Sequence, residues 1–168
     1  LDMVDYLDEF VPAFKIGSGD VNWLKMLDKV SRKNKPIMVA TGASNIGEVQ
    51  AAVKIVKKHN ENLVLMQCNT NYTANQENFK YIHLNVLDTY RSMFPDVVLG
   101  LSDHTLGHVT VLGSIAKGAQ VIEKHFTDDT SRPGPDHPFS MDPQTWRAMV
   151  DDARLLEKSL GHGSKEVQ

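Results

Sequence analysis

The sequence predicts an α/β protein built on a parallel sheet, and three observations carry that prediction. Five short apolar runs recur along the 168 residues, stretches of helical spacing lie between most of them, and the order strand, loop, helix repeats. Alternation of this kind means crossover units, and crossover units mean parallel strands. Pattern alone leaves two architectures open, a doubly wound sheet and part of a (β/α)8 barrel.

The runs are Ala13-Phe14-Lys15-Ile16, Ile37-Met38-Val39-Ala40, Leu63-Val64-Leu65-Met66, Val97-Val98-Leu99-Gly100-Leu101 and Gln120-Val121-Ile122-Glu123-Lys124. Their brevity and apolar continuity suit buried parallel strands better than half-exposed antiparallel ones. Between the first and second, Trp23, Leu24, Leu27 and Val30 form a short stripe. Between the second and third, Ile46, Val49, Ala52, Val53 and Val56 fall on one helical face, with Ser44 as the expected N-cap. Between the fourth and fifth, Val109, Val111, Leu112, Ile115 and Ala116 repeat the spacing, and Gly118 marks the stop. A Gly- and Pro-rich loop, Ser131 to Asp136, leads into a last helix with Asp142 as N-cap and Pro143 at its first position. Trp146, Met149, Val150 and Leu155 are its expected inner face.

Composition narrows the function classes. Hydrophobic residues make up 41% and charged residues 23%, ordinary for a globular domain, and a net charge of −3 offers no basic stripe for nucleic acid. No apolar run approaches the roughly 20 residues that span a bilayer, so no membrane association is expected. With Cys68 as the one cysteine, neither an intrachain disulfide nor a thiolate metal cluster can form, which fits a reducing, cytoplasmic setting.

Each run ends in small or polar residues: Gly17-Ser18-Gly19-Asp20, Thr41-Gly42, Asn69-Thr70-Asn71-Tyr72, Ser102-Asp103-His104-Thr105 and His125-Phe126-Thr127. Ligands of parallel α/β folds lie beyond these strand ends, so the five segments converge on one face. His104 and His125 close adjacent strands about 4.8 Å apart, near enough to share one divalent ion; on spacing alone a structural or hydrogen-bonding role is the commoner one. Lys15, inside an apolar run, reads as an anion clamp or as a side chain reaching the rim. Lys124 and His125 point to opposite faces by alternation, and which is inward stays open. Asp103 is open between orienting His104 and solvating a loop, and Asp136 between a binding role and a turn. Cys68 reads as packed, not nucleophilic. Gly17-Ser18-Gly19 is no dinucleotide fingerprint, because Val21 and Asn22 break the pattern.

Read together, Phe14-Lys15-Ile16-Gly17-Ser18-Gly19-Asp20, Thr41-Gly42, Gly100-Leu101-Ser102-Asp103-His104-Thr105, Glu123-Lys124-His125-Phe126-Thr127 and Arg132-Pro133-Gly134-Pro135-Asp136-His137 resemble the sialic acid synthase (N-acetylneuraminate synthase) family, together with its nonulosonic acid and spore coat polysaccharide relatives. The likeness runs to about Gly161. It implies that residues 1–168 form the C-terminal part, strands four to eight, of a (β/α)8 TIM barrel. The first three strands and a C-terminal antifreeze-like domain would then lie outside this sequence, and the full-length protein would be a homodimer.

The resemblance also implies a metal-dependent condensation of phosphoenolpyruvate with an N-acylated amino sugar such as N-acetylmannosamine, giving a sialic-acid-like acid and phosphate. On it, His104 and His125 match metal-binding histidines, with Mn2+ the usual ion and Mg2+ or Co2+ as alternatives. Lys15 and Ser18 match phosphoenolpyruvate-binding positions, and Ser102 and Tyr72 line the site. Asp136 matches a sugar contact, and Asp20 an acidic position, often Glu, that serves proton transfer. Ala40, Gln67 and Thr73 depart from the Ser, His and Pro usual in the family. Two other readings are a Schiff-base aldolase using Lys15 or Lys124 and a non-catalytic sugar- or anion-binding fragment.

Overall fold

In the computed structural model, which describes residues 1–165, every apolar run becomes a strand. These are β1 (Phe14–Ile16), β2 (Ile37–Ala40), β3 (Leu63–Cys68), β4 (Val98–Asp103) and β5 (Val121–Lys124). Six α-helices accompany them: α1 (Asp2–Asp8), α2 (Leu24–Ser31), α3 (Ile46–Val56), α4 (Val86–Met93), α5 (Val109–Ala116) and α6 (Pro143–Leu160). Two 3-10 turns cover Gln76–Tyr81 and His137–Phe139.

All pairings are parallel and the spatial order is β1-β2-β3-β4-β5. Each strand therefore lies beside its successor, with no switch point of the kind a doubly wound sheet requires. Right-handed crossovers then put the helices on one face. The sheet also curls. Lys15 on β1 and Glu123 on β5 form an ion pair at 2.8 Å, although these are the first and last strands of the order. Flat, four inter-strand steps would hold them roughly 19 Å apart. The five strands form a half-barrel, and side chains of its concave face meet across the middle.

Strand alternation divides the residues between two faces. Toward the helices lie Phe14, Ile16, Ile37, Val39, Leu63, Leu65 and Leu99, packed with Leu27, Val30, Val49, Val53, Val56 and Leu87. Leu101 joins Val111, Ile115, Met141 and Met149 in a second cluster under α5 and α6. Each fully buried aliphatic side chain contributes about 1.5–3 kcal/mol, so this layer holds the sheet to its helices. The concave face is sparser, with Ala40, Met66 and Cys68 as its apolar centre. Gly100 pairs with Met66, and a Cβ there would sit 2.7 Å from the Val121 carbonyl oxygen and 3.0 Å from Met66 Cγ, so glycine makes room for Met66 to cross this face.

Capping follows the sequence closely but not to the residue. Asn45, not Ser44, caps α3, accepting from the Glu48 amide while Glu48 reaches back to the Asn45 amide. Asp142 caps α6 with Pro143 at its first position, as expected. Gly118 closes α5 at φ 83°, a left-handed conformation that favours glycine. Several stripe residues face solvent instead of the core: Trp23, Leu24, Ile46, Val109, Ala116 and Leu155 are exposed. On α6, Leu156 packs inward in place of Leu155. After β5 the chain leaves on a long loop and returns so that Met141 bridges Phe126. Met141 donates its N–H to the His125 carbonyl and accepts from Thr127, which pins the loop's two ends together.

Candidate active site at the strand ends

His104 directly follows β4 and His125 directly follows β5. Their parity is that of Ser102 and Glu123, so both rings come to the concave side while Asp103 and Lys124 turn toward the helices. The ring centroids are 5.2 Å apart with planes inclined at 62°. Phe139 packs against both, at 4.9 Å from His125 and 6.0 Å from His104, and the Tyr72 ring lies 4.3 Å from His104. Lys15, Gly17, Ser18, Tyr72, Ser102, His104, Glu123 and His125 line a cavity of about 100 Å³. A larger groove of about 670 Å³ lies between Phe79 and Thr110, away from these groups.

Hydrogen bonding settles which nitrogen His104 offers. Its Nδ1 lies 2.9 Å from the Asn69 carbonyl oxygen, which can only accept, so Nδ1 carries the proton and Nε2 keeps its lone pair. Burial pulls the His104 pKa below the ordinary imidazole value, against the Asn69 carbonyl, and His125 adds to the lowering. His125 Nδ1 lies 3.6 Å from Asp136 Oδ2. His104 is thus prepared as a neutral ligand and oriented from behind by a carbonyl, while a carboxylate stands beside the His125 ring. Among the described residues no group of three or more His, Cys, Asp or Glu could hold an ion. A divalent ion here would take the two rings and complete its shell from water or substrate, which this donor set fits.

The other half of the cavity carries an ammonium, a carboxylate and hydroxyls. The Lys15 ammonium faces Glu123, and the Thr70 hydroxyl donates to Ser18 Oγ at 2.8 Å. Gly42 permits this close approach, since a Cβ there would fall 2.5 Å from Thr70 Oγ1 and 2.9 Å from Cys68 Sγ. Burial raises the Glu123 carboxyl, but the Lys15 ammonium and the Ser102 hydroxyl outweigh it, and Glu123 ends below the usual carboxylate value. Burial pushes the Cys68 thiol and the Tyr72 phenol up.

The structure thus gathers seven of the residues picked out in the sequence: Lys15, Ser18, Tyr72, Ser102, His104, His125 and, beside His125, Asp136. Asp20 is not among them. It is exposed, with its carboxylate against Gly17 outside the cavity lining. Lys124 is fully buried in an ion pair with Asp103 on the far side of the sheet, so it has no access to a carbonyl substrate. Glu123, Thr70 and Phe139 went unrecognised in the sequence. The parity that brings His125 inward brings Glu123 inward too, and that signal was there to be used. Asn78, also unrecognised, donates to the carbonyls of Asn71 and His104 and receives the Asn69 amide, tying the first 3-10 turn to both strand ends.

The fold and site define a singly wound α/β half-barrel with two imidazoles and a lysine gathered at its strand ends. The chain belongs to the NeuB family, whose model matches residues 1–165. It is 43% identical over 167 residues to an uncharacterised protein of Methanocaldococcus jannaschii, spanning 98% of this chain and 48% of that one. Identity to the N,N′-diacetyllegionaminic acid synthase of Campylobacter jejuni is 36% over 171 residues, spanning 99% of this chain and 50% of the relative. The crystal structure of N-acetylneuraminic acid (sialic acid) synthetase from Leptospira borgpetersenii, in complex with citrate, matches with a TM-score of 0.90 at 29% identity, spanning 100% of this chain and 58% of the other. This chain spans about half the length of the curated relatives it matches. The family expected from the strand-end motifs is therefore the one found.

Proposed function

We propose that the protein carrying this chain condenses phosphoenolpyruvate with an N-acylated amino sugar to give a nonulosonic acid and phosphate. In the same reading the chain supplies the last five β/α units of a (β/α)8 barrel, within a homodimeric, cytoplasmic enzyme. The observation that carries it is the meeting of two imidazoles with a lysine and a serine in one cavity at the ends of parallel strands.

Lys15 and Ser18 hold the anionic donor, offsetting its charge with an ammonium and a hydroxyl. Ser102 and Tyr72 flank it, and Asp136, on the loop beside His125, contacts the sugar. C3 of phosphoenolpyruvate forms the new C–C bond to the aldehyde carbon of the open-chain sugar. Water adds at C2, and C–O cleavage releases phosphate. Glu123, held ionised by Lys15 and Ser102, is better placed than Asp20 to take a proton from that water at its carboxylate. His104 and His125 would hold a divalent ion, Mn2+ first and Mg2+ or Co2+ as alternatives, which supplies polarisation of the aldehyde oxygen.

Replacing His104 or His125 by Ala in the full-length enzyme is expected to abolish Mn2+-supported product formation, read as phosphate release with phosphoenolpyruvate and N-acetylmannosamine. Unchanged turnover in either variant rejects the assignment of the pair. Borohydride trapping with a keto acid is expected to leave Lys15 unmodified, since no imine forms on this route.

A further inference from the structure

Directly behind the two histidines lies a fully buried ion pair that the proposed chemistry does not use. Asp103 and Lys124 are register partners on β4 and β5, each one residue before a histidine. Lys124 Nζ stands 2.8 Å from Asp103 Oδ2, and both side chains are wholly inaccessible. We infer that this pair is a positioning device: it fixes the height of β4 against β5, and through it the mutual placement of the His104 and His125 rings.

The network leaves little freedom. Asp103 Oδ2 also accepts from the hydroxyls of Thr110 at 2.7 Å and Thr105 at 3.0 Å, while Oδ1 accepts from the Thr105 amide at 3.0 Å. Lys124 spends a second donor on the Thr105 carbonyl at 2.6 Å. Thr105 is the residue after His104, so the lysine on β5 grips the chain on both sides of that histidine. Taking two charges out of water is unfavourable, and well-packed apolar residues of similar volume often stabilise a protein as much or more. Stability therefore does not account for an ionic pair here; geometry does. An apolar contact tolerates small slips along a strand, whereas this one has a single arrangement satisfying every donor. Register matters acutely at this point because a slip of one residue in either strand would turn that strand's imidazole to the helix side and part the pair.

The inference rests on the proposed role of the two histidines as ligands, and the test separates the two ideas. In the full-length protein, Asp103→Leu combined with Lys124→Met removes both charges, so neither is left buried without its counter-ion, although the Thr105 amide and carbonyl lose these partners. The double variant is expected to melt lower than the unsubstituted protein, because those buried groups lose their partners, and both readouts are taken well below its own midpoint, where it is folded. Its Mn2+ dissociation constant, from the electron paramagnetic resonance of free Mn2+, should be roughly 10–100-fold weaker, the range typical of lost outer support. Retaining the like charge with Lys124→Arg should restore part of that affinity. A second readout needs no metal: in protein labelled with 15N-histidine, the nuclear Overhauser contact between the two imidazoles should weaken or vanish in the double variant. Native Mn2+ affinity together with a native ring-to-ring contact in the double variant overturns the inference. Absence of Mn2+ binding in the unsubstituted protein instead rejects the ligand reading, and the ring contact alone then decides whether the ion pair positions the histidines.

Discussion

Cys68 lies on the concave face beside His104 without the properties of a nucleophile. It is 4% exposed, its thiol contacts the Asn69 carbonyl, and burial raises its pKa, so little thiolate exists near neutrality. Labelling of the native protein with a disulfide reagent at pH 8 is expected to run at least about tenfold slower than in urea, in line with how strongly thiol pKa and access control reactivity. Equal rates would contradict the packed role. Asn78 makes the opposite case, a residue with no chemistry of its own on which the site depends. It is 1% exposed and joins Asn69, Asn71 and His104. Asn78→Ala leaves buried amide and carbonyl groups unpaired and is expected to cost about 1–3 kcal/mol in urea unfolding. A change below about 0.5 kcal/mol would mean that water replaces the amide readily. Legibility at this scale follows whether a residue's partners are local. His104 and His125 were readable because strand ends project their side chains predictably. Asn78 and Phe139 were not, because loops from elsewhere in the chain bring them in, and nothing in their own neighbourhood says so.

Among the elements, strands were located almost to the residue while helix faces were misphased at their ends. A strand's apolar run is its own signal, but a stripe at helical spacing extends past the sheet it covers. Ile46 and Val109, each the first residue of a helix, therefore continue the pattern into solvent. The order of the strands was open in the sequence between two architectures, because both use the same β/α unit and differ only in which neighbour each strand chooses. Contacts between elements also supply a pH dependence. Asp5 on α1 meets Lys29 of α2 at 2.5 Å and Lys33 just beyond α2 at 2.7 Å. The Lys29 and Lys33 ammonium groups hold its pKa at about 2, against the desolvation that opposes them. A carboxylate depressed in the folded state favours folding fully above its unfolded value of about 3.8, and that contribution is lost as pH falls through about 2. The difference in melting temperature between the unsubstituted protein and Asp5→Asn should therefore be largest above pH 4 and close as pH approaches 2. A gap independent of pH would assign α1 docking to packing alone.

For the whole molecule, curling is what turns five separate strand ends into one site. It brings Lys15 and Glu123 together from the two outermost strands of the order and sets their half of the cavity against the imidazole half. On the proposed reading, an ion held by His104 and His125 is a cross-link between β4 and β5 present only in the folded state. A ligand that binds only the folded protein stabilises it by about 2.7 kcal/mol at a hundred times its dissociation constant. Mn2+ at that excess is expected to raise the unfolding free energy of the full-length protein by about this amount, and a chelator to remove the gain. Neither His104→Ala nor His125→Ala should respond, because one imidazole alone binds a divalent ion weakly. Ca2+ should do little even in the unsubstituted protein, since it prefers oxygen ligands to imidazole nitrogen. If both alanine variants kept the Mn2+ shift, the ion would be binding elsewhere, and the two rings would be neighbours for another reason.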